Sequence, residues 1–133
     1  MPIVADESVF DHHDAFRVLA ADACDYVNLK LSKSGGVRAG QKAAAVVDAA
    51  GKSCMIGCMM ESRLGLTAAA HLASAMGHFK FFDLDSAHLL AADPILGGMR
   101  YEKDMVVLDD GQPGLGAEPD PAFLAKCERV VIE

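Results

Sequence analysis

Cations, cysteines and long apolar runs are all scarce in this chain of 133 residues, and each shortage removes a class of function. Twelve Lys and Arg stand against 19 Asp and Glu, a formal net charge of −7. Such a surface repels phosphate backbones and anionic headgroups, so neither nucleic acid nor a membrane is an expected partner. No window approaches the roughly 18 unbroken apolar residues of a spanning helix. Asp6 and Glu7 fall within the first ten residues, where a secretory leader requires cations, and a cytoplasmic location is expected. Cys24, Cys54, Cys58 and Cys127 are too sparse for a disulfide framework and are read as reduced. Three residues separate Cys54 from Cys58 and no second Cys or His pair follows at zinc-finger spacing, which argues against structural zinc.

What the chain has in quantity is apolar sequence, 52% of its residues, which suffices for a core and argues against disorder. Its pattern repeats. A short apolar run at 2–5 leads through polar residues to a helix-favouring stretch over 11–23. A second strand is expected over 26–31, a turn at 34–36, and a helix over 37–50 that Gly51 stops. A third strand over 53–58, a helix over 61–76 ended by Gly77, and a fourth strand over 79–84 follow. Strand ends at Asp6, Lys30, Cys58 and Asp83 lie 24, 28 and 25 positions apart, the length of one strand, one helix and two short loops. Consecutive βα units give an α/β fold with parallel strands, expected to be covered on both faces.

After Asp85 the punctuation changes: Pro94, Gly97, Gly98, Asp109, Asp110, Gly111 and Pro113 interrupt any helical period, and the tail reads mostly as loop. Within it a short strand is expected at 105–108, a short helix at 121–128 after Asp120, and an extended piece at 130–132.

In a βα series the functional face lies at the C-terminal ends of the strands. Asp6, Lys30, Asp83 and Asp85 stand there, at the ends of three otherwise apolar strands, where hydrophobic patterning gives no reason for a charge. Alternate residues of a strand share a face, so Asp83 and Asp85 can aim two carboxylates at one point, as a substrate ammonium or a divalent metal needs.

The segments ADES at 5–8, NLKLSKSGG at 28–36, GCMMESRLG at 57–65 and DLDS at 83–86 resemble the muconate lactonizing branch of the enolase superfamily, and within it the dipeptide epimerases. The resemblance implies the C-terminal half of a (β/α)7β TIM-like barrel, strands five to eight, over residues 1–90. It implies an irregular tail over 91–133 that packs back towards the family's capping domain. It further implies Mg²⁺ as cofactor, a dipeptide substrate and isomerase activity by 1,1-proton transfer. Carried over by position, Asp6 resembles the fifth-strand metal ligand, Lys30 the sixth-strand acid/base, and Asp83 with Asp85 the eighth-strand pair that binds the substrate ammonium. Cys58, Met59 and Met60 fall where the seventh-strand end lines the substrate pocket. A family lysine that acts as a base needs a lowered pKa, which a metal ion and a second lysine would provide.

Against that pattern the capping domain, the first four strands, the opposite-face lysine and two of three metal acids have no counterpart here. The isolated chain is therefore expected to be inactive and to hold metal weakly or not at all. Open strand edges are expected to drive self-association or docking onto the missing N-terminal half. Rival readings keep the superfamily with a muconate cycloisomerase, N-acylamino acid racemase or o-succinylbenzoate synthase activity. A further one is a non-catalytic, self-associating half barrel, and another a phosphate site at the helix opened by Ser34, Gly35 and Gly36. Adjacent His12 and His13 point about 100° apart on a helix and do not make a metal site.

Overall fold

A computed structural model describes residues 1–109 and 111–132; Asp110 and Glu133, both within the expected tail, lie outside the described residues. Four strands, β1 (Val4–Ala5), β2 (Tyr26–Leu29), β3 (Ser53–Ile56) and β4 (Phe79–Phe82), form one sheet in the order β1-β2-β3-β4, every pair parallel. The helices between them are α1 (His12–Ala20), a short α2 (Leu31–Ser34), α3 (Val37–Ala49) and α4 (Arg63–Ala75). Sequential order with parallel pairing is what repeated βα units produce.

Local chemistry sets the element ends. Asp11 caps α1 by accepting from the backbone amides of His13 and Asp14. The helix stops three residues short of the expected 23 because Asp22 turns left-handed, with φ 47°. The strand expected over 26–31 ends at Leu29: Lys30 is already the cap position of α2, and Leu31 belongs to that helix. Gly35, at φ 87°, closes α2 in the left-handed conformation that favours glycine and lets α3 begin two residues later. The third and fourth strands also end two residues early, at Ile56 and Phe82, so Cys58, Asp83 and Asp85 leave the ladder before the site begins.

The core lies between the sheet and the helices. Val27, Leu29, Cys54 and Ile56 present alternate positions of β2 and β3 to Ala43, Ala44 and Val47 of α3 and Leu66, Ala69 and Leu72 of α4. Fully buried Leu29, Ile56 and Leu66 each contribute about 2 kcal/mol. Gly40 permits the close approach of α3: a Cβ there would stand 2.7 Å from Leu31 and 3.2 Å from Leu72.

Several expectations are corrected. The outer strands are not covered on both faces, since Val4 is 40% exposed and Phe82 63%; β1 and β4 are the unpaired margins of the sheet. The tail is mostly irregular, as expected, but it also holds short strands that its glycines and prolines conceal. It contains an antiparallel pair of β5 (Ile95–Gly97) with β8 (Ala117–Pro119), and another of β6 (Arg100–Glu102) with β7 (Met105–Val107). Gly97 and Gly98 take positive φ values that connect the two pairs. The expected strand at 105–108 is β7, whereas the helix expected over 121–128 is only α5 (Pro121–Leu124), capped by Asp120. Residues 130–132 form no strand. Among the described residues no helix is long and apolar enough to cross a membrane.

Candidate functional site

Register places the site residues on one face. Val4 pairs with Tyr26 and Ala5 with Val27, so Asp6 comes to lie beside Asn28. On β4 the register shifts opposite Cys54 and Met55, and Phe81 pairs with Met55, which puts Phe81 on the face of Tyr26; their rings meet edge to face at 4.9 Å. That face is turned away from the helix-covered core, and polar residues occupy its C-terminal rim.

The first group gathers around Asp6. Lys30 Nζ lies 2.9 Å from Asp6 Oδ2 and 3.0 Å from Glu7 Oε1. Lys33 Nζ lies 2.8 Å from Asp6 Oδ1 and also donates to the carbonyls of Asp6, at 2.6 Å, and Asn28, at 3.3 Å. The Asn28 carboxamide donates to Asp6 Oδ2 at 3.0 Å. Burial raises the Asp6 carboxyl, but the ammonium groups of Lys33 and Lys30 outweigh it and hold the group below the ordinary carboxylate range. Burial pushes Lys30 down, but Asp6 and Glu7 outweigh that and leave it above the ordinary lysine range. The lowering expected of a family base depends on a metal ion and an opposite-face lysine, whereas in this chain two carboxylates surround the amine.

The second group lies at the ends of β3 and β4. Ligand atoms of Cys58, Asp83 and Asp85 all fall within 4.8 Å of one another, so the two carboxylates do converge, with the thiol beside them. Met59 and Met60 are exposed. Glu61 ties the loop to its neighbours, accepting from Met59 N at 3.0 Å and Ser32 Oγ at 3.3 Å. Asp83 and Asp85 also border a cavity of about 530 Å³ that Phe82 lines from β4 and Tyr101 and Met105 line from the tail. Tyr101 donates to the Leu84 carbonyl at 2.6 Å, which seats the β6–β7 hairpin against β4.

Lys30 and Asp6 therefore meet, as do Asp83 and Asp85, but among the described residues no ion pair or hydrogen bond joins the two groups. Sequence reasoning missed Glu7, Asn28 and Lys33. Asn28 carried a signal, a polar residue within an apolar strand and 4% exposed. Lys33 sat next to a segment that reads as a turn, yet its side chain is 3% exposed. The four cysteines are free thiols, Cys54 being pushed up to about 12 by burial.

The sequence matches the family described as Enolase C-terminal domain-like over residues 1–123. It is 44% identical over 118 residues to the L-Ala-D/L-Glu epimerase of Clostridium acetobutylicum, an alignment covering 89% of this chain and 33% of that enzyme. The structure superposes on the substrate-liganded L-Ala-D/L-Glu epimerase of Bacillus subtilis with a TM-score of 0.84 and 42% identity, over 88% of this chain and 32% of the other. It superposes on the Cytophaga hutchinsonii dipeptide epimerase complexed with Mg and D-Ala-L-Val with a TM-score of 0.90 and 37% identity, over 96% and 35%. The chain spans about a third of the length of these relatives. Its four parallel βα units match the C-terminal half of their barrel, and the chain belongs to the Enolase C-terminal domain-like family.

Proposed function

We propose that this chain forms the C-terminal part of a Mg²⁺-dependent dipeptide epimerase, which moves the α-proton of a dipeptide such as L-Ala-L-Glu through an enolate. The observation that carries this reading is the Lys30–Asp6 contact of 2.9 Å on the same sheet rim as the converging Asp83 and Asp85. Sequence identity of 44% to an L-Ala-D/L-Glu epimerase supports it independently.

Lys30 is the acid/base on one face of the α carbon. Beside Asp6 and Glu7 it stands protonated, the form that returns a proton; to accept one it must give up these partners. Asp83 and Asp85 clamp the substrate's terminal ammonium, for which two exposed carboxylates at one point are suited. This clamp favours a dipeptide over a muconate, an N-acylamino acid or an o-succinylbenzoate precursor, none of which brings a free ammonium. Cys58, Met59 and Met60 border the substrate's side chains.

A bound Mg²⁺ would offset the negative charge that develops on the carbonyl oxygen as the weakly acidic α-proton leaves. The residues present do not fit a tightly held ion: Asp6 gives one carboxylate, and its two oxygens already accept from Lys33, Lys30 and Asn28. Tight metal binding, the opposite-face base and turnover belong to the complete barrel, and the 133-residue chain alone is inactive. Its partner is the N-terminal part of that barrel, docking on the margins of β1 and β4, with self-association when that part is absent.

The test is a chimera in which residues 1–123 replace the matching segment of the Clostridium acetobutylicum enzyme. Epimerisation of L-Ala-L-Glu is the expected result. In that chimera Asp83→Asn should reduce dipeptide turnover by at least about tenfold more than any N-acylamino acid racemisation. Equal losses on both substrates would defeat the ammonium clamp.

A further inference from the structure

Asn28 of β2 reaches the residues that follow both neighbouring strands, Asp6 after β1 and Gly57 after β3. On one side its Nδ2 donates to Asp6 Oδ2 at 3.0 Å. On the other its carboxamide lies over Gly57, where a Cβ would meet Oδ1 at 2.6 Å, Nδ2 at 2.7 Å and Cγ at 3.0 Å. The amide orientation is chemically fixed, because an ionised carboxylate only accepts and so must face the NH₂ end. The result is a buried Oδ1 that has no hydrogen-bond partner among the described residues.

A residue selected for stability alone would not leave a carbonyl oxygen unpaired in a nearly closed site. An apolar side chain of the same shape would fill the space without that cost. The amide is retained because it does something leucine cannot, which is to supply a neutral donor to the oxygen of Asp6 that Lys30 also contacts. Lys33 holds the other oxygen, so three donors fix the carboxylate plane.

We propose that Asn28, seated in the space left by Gly57, is the positioning residue that sets the orientation of Asp6 and, through it, of Lys30. The roles of Asp6 and Lys30 in turnover rest on the reading above, but the positioning itself is a property of this chain and is measurable without metal or substrate.

The experiment is NMR on the isotopically labelled 133-residue chain. In the unaltered protein the Asn28 carboxamide protons should exchange with solvent at least about tenfold more slowly than those of a free asparagine, as a hydrogen bond to a charged acceptor requires. Asp6→Ala should accelerate that exchange about tenfold, and Gly57→Ala, which pushes the amide off its seat, should do the same. Asn28→Leu should speed exchange of the Lys30 and Lys33 ammonium protons while the backbone spectrum stays dispersed.

Free-asparagine exchange in the unaltered chain would overturn the proposal. So would slow protons that remain slow in Asp6→Ala, which would assign the amide to packing alone. If Gly57→Ala or Asn28→Leu does not fold, the comparison of the unaltered chain with Asp6→Ala still decides. Failure here leaves the epimerase reading intact, and a failed turnover assay leaves these exchange rates unaffected.

Discussion

Lys33 Nζ lies 2.8 Å from Asp6 Oδ1 with its side chain 3% exposed, and it also donates to the backbone carbonyls of Asp6 and Asn28. The ammonium thus joins the ends of β1 and β2 from beneath the site. Removing it takes the donor from Asp6 Oδ1 and from two backbone carbonyls, while Lys30 and Asn28 still hold Asp6 Oδ2. Lys33→Met should cost about 2 kcal/mol, less than a deeply buried pair because Asp6 is 30% exposed. Urea unfolding measures this, and a loss below about 0.5 kcal/mol would reduce the contact to an ordinary surface ion pair.

The same cluster fixes a pH dependence. Asp6 is lowered in the folded chain, so its contribution is fully present above its unfolded pKa and is lost as pH falls through the folded value. Lys30 is raised, so its contribution is fully present below its unfolded pKa and is lost as pH rises through the folded value. Stability from this pair should be flat between about pH 5 and pH 10, decline below about pH 4 and decline again above about pH 10.5. Thermal melts across pH check it, with Asp6→Asn expected to flatten the acid limb.

Arg63 anchors the tail to α4. Its guanidinium pairs with Asp93 and donates to the carbonyls of Ile95, Gly97 and Met99, the last two at 2.9 Å. One side chain therefore closes the start of the tail onto α4. Arg63→Met should leave the residues 1–90 folded while proteases cut between residues 91 and 104 at least about tenfold faster than in the unaltered chain. An unchanged cleavage rate would show that the Tyr101 and Thr67 contacts hold the tail without it.

The unpaired strand margins predict association. Phe81 and Phe82 of β4 are 44% and 63% exposed, and Val4 of β1 is 40% exposed. Sedimentation velocity should detect species larger than a monomer at tens of micromolar, and Phe82→Lys should shift them towards monomer. A well-behaved monomer over that range would contradict the role assigned to the margins.

How much of this was legible in the sequence depends on whether the signal is local. The capping acid Asp11, the stop at Gly51 and the apolar alternation of Val27 and Leu29 are local, and the strands and long helices followed from them. The short α2 was missed because four residues carry no period, and its existence depends on Lys30 leaving the ladder. Of the three-residue strands of the tail only β7 was expected; β5, β6 and β8 were missed for the same reason, and Arg63, more than 30 residues upstream, supplies the donors that hold the carbonyls of Ile95, Gly97 and Met99. At the site, the strand-end charges Asp6, Lys30, Asp83 and Asp85 stood out against apolar strands. Lys33 and Glu7 did not, since a lysine or glutamate next to a turn is ordinarily solvated, and only the return of β2 alongside β1 gives them partners.

Exchange of the α-proton of L-Ala-L-Glu for deuterium in D₂O with Mg²⁺ tests the central assignment most directly. The residue 1–123 chimera should incorporate deuterium at the glutamate α carbon, and Lys30→Ala within it should abolish incorporation from the face that Lys30 serves while the fold persists. Incorporation that survives Lys30→Ala on both faces, or that never occurs in a folded chimera, would contradict it.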